Sequence, residues 1–331
     1  MLTQAIPKVV PPAPVADATN KACPACGWKS WTIEQGRKPR GYTLCRCHVC
    51  HLRFCEPMAA ASSEWYGSSW FYKLREASAS GIRVERTVPW NFARALAAVA
   101  PGRGRKLLDV GCAEGHFLYL ARRAGFQVTG LDFNPVSLKI AKETFGIPLV
   151  YQCSVEELAE RFPDASFDVV TLFEVLEHTA DPFGTLRSLI KVMKPGASLL
   201  LSVPGLDRWP ALFHPEVDAP PHHLTLWTEE ALRKVLGRVG LCVRSVEGKP
   251  LQVDDFAIHV KWRLSGLLPR SGANARQRRA GNPPRNTTSI PRTDSAAMRT
   301  LAKGALTPVC GLLRLHPRAG GFSLFASCRK P

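Results

Sequence analysis

Lys106-Leu107-Leu108-Asp109-Val110-Gly111-Cys112-Ala113-Glu114-Gly115-His116-Phe117 decides the fold of this chain. An apolar run ends in an acid, a short glycine-containing turn follows, and a helical pattern opens behind it. Val128-Thr129-Gly130-Leu131-Asp132 repeats the first half, an apolar strand closed by a carboxylate. Gly111 and Gly115 let the backbone come close to a ligand, and the helix N-terminus offers unpaired N–H groups. Asp132 stands 17 residues after Gly115 and can accept hydrogen bonds from both hydroxyls of a ribose. These features suit a nucleoside cofactor. A dinucleotide site would need G-x-G-x-x-G, but Ala113 and His116 occupy its second and third glycine positions. No G-K-S/T phosphate loop is present.

Outward from this stretch the chain alternates strands with helices. The pattern predicts strands at 105–110, 127–132, 148–152, 167–173, 198–203 and 241–247. Helices are predicted at 82–100, 115–124, 135–145, 155–161, 182–193 and 228–238, the first stopped by Pro101-Gly102. Such alternation implies an α/β fold, with parallel strands, right-handed crossovers and helices on both faces.

The local pattern D-x-G-C-A-E-G, then L-D-F-N-P, resembles class I S-adenosylmethionine-dependent methyltransferases. The resemblance continues through F-D-V-V-T-L-F-E-V-L-E-H at 167–178, K-P-G at 194–196 and S-L-L-L-S-V-P at 198–204, and covers about residues 104–245. It implies a Rossmann-like seven-stranded sheet. The alternating segment Phe322-Ser323-Leu324-Phe325-Ala326-Ser327, introduced by Gly320-Gly321, fits the antiparallel seventh strand. The resemblance also implies that Asp109, Gly111, Ala113, Gly115, Asp132 and Phe133 hold S-adenosylmethionine. The 153–155 turn, with Ser154, would contact adenine. Phe173 and Glu174 would lie near the methionine part and the acceptor. At 113 the family most often has glycine; alanine is small enough to keep the cradle.

Glu174-Val175-Leu176-Glu177-His178 places two acids and an imidazole on one turn of helix or loop, and Pro220-Pro221-His222-His223 supplies a second imidazole pair. The region resembles ubiquinone-biosynthesis O-methyltransferases and small-RNA 2′-O-methyltransferases, in which E-x-x-E-H and a later His bind a divalent cation. Two chemistries follow. Glu174, Glu177, His178, His222 and His223 could hold an ion such as magnesium beside the acceptor hydroxyl. Alternatively His178 or His223, with Glu177 beside it, acts as a general base without metal. Trp209, Phe213, Trp227 and the aromatics at 65–72 could roof the acceptor, although such density more often signals packing.

Cys23-Pro24-Ala25-Cys26 and Cys47-His48-Val49-Cys50 are two C-x-x-C knuckles separated by 20 residues. Four thiolates on two tight turns suit a closed, structural zinc site. Cys47 is preferred to Cys45 because it repeats the first knuckle's spacing. The unit resembles the zinc ribbon that precedes the methyltransferase domain in some bacterial enzymes acting on sugars and surface glycans.

Composition sets the outer limits. The chain has 331 residues, 45% hydrophobic content and 11 cysteines. It has no run of about 18 apolar residues, so no membrane span is expected. The Pro- and Ala-rich start lacks a basic-then-apolar leader, which predicts a cytoplasmic chain whose cysteines serve as thiols and metal ligands. The formal charge of +17 is concentrated after residue 260, where 14 Lys and Arg face one acid, Asp294. The expected organisation is a disordered leader at 1–20, a ribbon at 21–58, a connector at 59–103 and a methyltransferase domain at 104–331. A basic insertion lies at about 261–315. The expected acceptor is a small molecule or glycan precursor, methylated at oxygen. RNA held by the ribbon and the insertion is the second reading, and a non-catalytic ribbon-centred binding protein the third. No N-P-P-Y or D-P-P-Y tetrad of base methylation follows the fourth strand, which disfavours RNA.

Overall fold

The computed structural model describes residues 22–34, 41–60, 88–206, 220–251 and 320–331. The leader, most of the aromatic connector, Trp209 and Phe213, and the basic insertion lie outside these residues. Strands β1 (Trp31–Ile33), β2 (Thr43–Cys47) and β3 (Arg53–Glu56) form an antiparallel meander. There follow α1 (Trp90–Val99), β4 (Lys106–Val110), α2 (His116–Arg123), β5 (Gln127–Asp132), α3 (Pro135–Glu143) and β6 (Val150–Gln152). Next come α4 (Leu158–Arg161), β7 (Phe167–Phe173), α5 (Pro182–Val192), β8 (Met193–Pro204) and β9 (Thr225–Leu226). α6 (Glu229–Arg238), β10 (Cys242–Pro250) and β11 (Gly320–Arg329) complete the order.

Local chemistry explains the helix starts. Asn134 accepts from the N–H groups of Val136 and Ser137 ahead of α3, whose first residue is Pro135. Asp181 does the same for Gly184 before Pro182, and Thr228 for Ala231. Each side chain satisfies an otherwise orphaned donor, and proline loses nothing at the first helical position.

Seven strands form one sheet in the order β10-β11-β8-β7-β4-β5-β6. β8, β7, β4, β5 and β6 run parallel, and β11 runs antiparallel to β8, as expected for the seventh strand. Chain order reverses about β4, with β5 on one side and β7 on the other. A crevice at the carboxyl ends of these strands is where an open α/β sheet receives its ligand.

Alternation along each strand divides the core. Leu108 and Val110 of β4, Val170 and Leu172 of β7, and Leu199, Leu201 and Val203 of β8 face the side covered by α5, α6 and the cysteine unit. Leu107, Val169 and Leu200 face α1, α2 and α3. A strand covered on both faces carries apolar residues in both registers, so these strands read as continuous apolar runs. Each large side chain taken fully out of water here contributes about 1.5–3 kcal/mol.

Several boundaries differ from expectation, and β10 runs on to Pro250, three residues past the predicted strand. β8 starts at Met193, five residues before the predicted strand, because Met193 pairs with Phe167 across an irregularity in the ladder. α4 starts at Leu158 because Ser154 and Glu157 cap one another through their backbone N–H groups, which holds 154–157 as a turn. α1 is described from Trp90; residues 82–87 of the predicted helix lie outside the described set. Among the described residues, no helix is long and apolar enough to cross a membrane.

Candidate functional site

The turn after β4 is shaped by two glycines with positive φ. Gly111 has φ of +74°, and a Cβ there would meet Val175 Cγ2 at 2.4 Å. Gly115, the N-cap of α2, has φ of +82°, and a Cβ would meet Ala141 at 2.9 Å. Both needs exclude any other residue. Gly111→Ala should therefore cost roughly 2 kcal/mol from left-handed strain and overlap, lowering the melting temperature by about 4–8 °C in a thermal melt. An unchanged melting temperature would contradict this packing.

Ala113 also adopts positive φ, +46°, without glycine's freedom. Its N–H donates to Asp132 Oδ2 at 2.9 Å, while Asn134 N–H donates to Asp132 Oδ1 at 2.8 Å. Asp132 thus ties the turn after β4 to the end of β5. A carboxylate oxygen can accept more than one hydrogen bond. Phe133 beside it is partly exposed, and Cys153 N–H bonds the Asp132 carbonyl, setting the 153–155 turn against the same strand end.

Asp109 is placed differently. It is buried, and Thr171 Oγ1 donates to its Oδ1 at 2.6 Å. Burial pushes its carboxyl up to about 7, against the Thr171 hydrogen bond and with help from the Asp132 charge. Its contact seen here joins β4 to β7.

At the end of β7, Phe173 packs against Phe92 and Phe117. Glu174 follows with φ of +53°, an uncommon conformation for this residue. Its N–H donates to the Ser202 carbonyl, and its Oε1 accepts the Ser202 hydroxyl at 2.8 Å. Asn91 Nδ2 donates to the same hydroxyl at 3.1 Å. Neither Ser202 nor Asn91 is among the residues expected from the sequence. Ser202 could have been found as the polar residue closing an apolar strand; Asn91 carries no local signal.

Leu176–His178 forms a short 3₁₀ turn that carries Glu177 and His178. His178, His222 and His223 converge there, with ring centroids 4.6–4.9 Å apart. Donor atoms of the three imidazoles lie within 4.8 Å of one another. His178 Nδ1 hydrogen-bonds the His222 carbonyl, so that nitrogen carries the proton and Nε2 keeps the lone pair. Glu177, a buried carboxylate, places Oε1 3.6 Å from His178 Nε2. Burial, followed by the neighbouring His223 and His222 charges, holds His178 well below its ordinary pKa, and its ring is neutral at neutral pH.

Of the five residues expected to share a cation, the structure groups the three imidazoles. Glu174 accepts the Ser202 hydroxyl, and Glu177 lies beside His178. A nitrogen-dominated set does not suit magnesium, which demands an octahedron of oxygens.

In the cysteine unit, Cys23, Cys26, Cys47 and Cys50 bring their sulfurs within 4.8 Å of one another, all buried. Cys23 and Cys50 Sγ are 3.7 Å apart, Cys26 and Cys47 Sγ 3.5 Å. A tetrahedron with bonds of about 2.3 Å sets sulfurs about 3.8 Å apart, so the four fit a zinc ion. Cys45 and Cys55 stand outside this group, and burial pushes both thiols up to about 12.

Residues 83–246 match a family model described as a methyltransferase domain. This stretch is a methyltransferase domain of the S-adenosylmethionine-dependent class. Two curated relatives are ubiquinone biosynthesis O-methyltransferases. The one from Idiomarina loihiensis is 43% identical over 103 residues, which is 30% of this chain and 42% of the relative. The one from Xanthomonas euvesicatoria pv. vesicatoria is 41% identical over 114 residues, 33% and 46% of the two chains. The chain spans less than half the length of the curated relatives it matches. In fold it is similar to the 4+2 cyclase SpnF, with a TM-score of 0.50 and 19% identity over 82% of this chain and 98% of the other.

Proposed function

We propose that this methyltransferase moves the methyl group of S-adenosylmethionine to a hydroxyl oxygen of a small-molecule acceptor. The observation that carries this reading is the anchored imidazole of His178 at the carboxyl edge of the sheet. Relatives named for O-methylation in ubiquinone biosynthesis support it. Bound S-adenosylmethionine would supply an electrophilic methyl on a sulfonium. Asp132, Gly111, Ala113 and Gly115 would cradle its nucleoside, with Phe133 and Ser154 at the adenine end. Phe173 and Glu174 would border the methionine part.

His178 Nε2 takes the acceptor's hydroxyl proton as the oxygen attacks, and His223 and Glu177 surround the ring. The imidazolium so formed sits against the Glu177 carboxylate, which offsets the cost of charging a buried ring. His223 is buried and His178 and His222 are half-buried, so a hydroxyl bound among them would lose part of its water. Four buried cysteines would hold zinc as a closed structural site, with no open position for the acceptor.

The sequence expectation of a glycan precursor remains within the acceptor class, and RNA gains no support from the named relatives. The test is a titration of S-adenosylhomocysteine followed by transfer of labelled methyl to a panel of phenolic, sugar and RNA acceptors. His178→Ala should lower kcat by about 10²–10⁴-fold and leave the affinity for S-adenosylhomocysteine unchanged. Because His178 is held below its ordinary value of 6.5, kcat/KM should stay level down to pH 6.5 and fall only below it, as the ring gains a proton. An acidic limb above that value, or full activity in His178→Ala, would reject the base. Transfer to RNA alone would reject the acceptor.

A further inference from the structure

The cysteine unit does not stand apart from the catalytic edge. β3 of the unit pairs antiparallel with β9, in the register Phe54 with Thr225 and Arg53 with Leu226. One residue before β9, the Leu224 carbonyl accepts the Cys55 N–H at 2.8 Å, and the Leu224 N–H donates to the Glu177 carbonyl at 2.8 Å. Cys55 Sγ also points at the His223 carbonyl, 4.0 Å away. Leu224 itself is fully buried in a small apolar cluster with Tyr42 and Cys55. Trp227 closes the other side, fully buried, with Nε1 donating to Thr225 Oγ1 at 2.9 Å.

We infer that the cysteine unit is the positioning wall of the imidazole cluster, acting through Leu224 and Cys55. The segment that leads from His222-His223 into β9 is held on one edge by the unit and on the other by the turn carrying Glu177 and His178. Two of the three imidazoles therefore stand where the unit's third strand puts them. The third is tied to the same segment, because His178 Nδ1 bonds the His222 carbonyl. A zinc-bound unit would thus do more than stabilise the chain: it would set the tautomer and the aim of the proton acceptor. A misplacement of about 1 Å at such a group can cost on the order of 10²-fold in rate. This inference rests on the reading of His178 as the base.

The test uses the full-length chain with Leu224→Ala, which keeps the four zinc-ligand thiols and all three imidazoles. Expected results are unchanged zinc content, S-adenosylhomocysteine affinity within about twofold of the parent, and a fall in kcat on the order of 10²-fold. The ¹⁵N resonances of the His178 ring should shift as its Nδ1 bond to the His222 carbonyl is disturbed. Leu224→Met, which refills the volume, should restore both. A variant with a lower melting temperature but parental imidazole resonances and kcat would overturn the inference, since the contact would then be merely structural. If Leu224→Ala does not fold, Cys55→Ala takes its place with the same expected shift, and parental His178 resonances in that variant would overturn the inference. Failure of the catalytic reading is separable: the parent chain would then turn over no acceptor, while the imidazole resonances would still report whether the unit controls them.

Discussion

Asp132→Ala is expected to weaken S-adenosylhomocysteine binding by about 10²–10³-fold. The carboxylate accepts N–H bonds from Ala113 and Asn134, one on each oxygen. Hydrogen bonds to a charged group contribute about 1.5–3 kcal/mol each, and a ribose hydroxyl would add another. Ala113 depends on this bond more than a glycine would, because its φ of +46° is uphill for an L-residue and the Asp132 contact holds it there. Without the carboxylate, the turn relaxes and the cradle opens before any ligand arrives. A loss of about 3–4 kcal/mol corresponds to the stated range in affinity. Calorimetric titration measures it directly. Asp132→Asn, which keeps one acceptor oxygen, should fall between the parent and the alanine variant. Unaltered affinity in Asp132→Ala would remove the nucleoside from this strand end and with it the proposed cofactor geometry.

Cys47→Ser is expected to abolish stoichiometric zinc and to unfold the cysteine unit. Structural zinc in small modules is bound with an apparent free energy of about 10–16 kcal/mol at neutral pH, and that binding is folding free energy. Among the described residues, the unit has no apolar core separate from that of the domain it packs on. Its strands are short, and Cys23, Ala25, Leu52 and Phe54 share one apolar cluster with Leu199, Leu201 and Trp227 of the methyltransferase domain. Loosening the unit should therefore propagate into β9 and lower the melting temperature of the whole domain. Zinc stoichiometry by atomic emission and a thermal melt read both effects. Cys45→Ser is the matched control. That thiol lies outside the four-sulfur group, and its raised pKa keeps it protonated. Zinc loss in Cys45→Ser with retention in Cys47→Ser would move the metal to a different set of ligands.

Much of the fold was legible because its signals are local. Apolar runs closed by Asp109 and Asp132 mark strands and their ends, and Thr228 announces the helix that follows it. The terminal strand Gly320–Arg329 could be found from alternation after two glycines. The two knuckles were legible because each pair of thiols shares one tight turn. The fate of Glu174 was not. E-x-x-E-H looks like a single helical face, but the backbone turns to positive φ at Glu174 and a 3₁₀ turn follows. One acid is thereby sent to Ser202 and the other to His178. The hydrogen bond between Asp109 and Thr171 was also hidden, because Thr171 lies on a neighbouring strand.

By itself the sequence determined the α/β alternation, the glycine turn that suits a nucleoside and the pairing of cysteines into two knuckles. Each rests on residues within a turn or two of one another, where backbone preference and side-chain spacing act directly. Only the tertiary structure decided that His178, His222 and His223 form one cluster, that Glu177 rather than Glu174 adjoins it, and that the cysteine unit lends its third strand to hold it. Cys55 and His223 are 168 positions apart, and β9 has only two residues. A strand that short has no periodicity to read; it exists because the Arg53–Glu56 edge was there to pair with it.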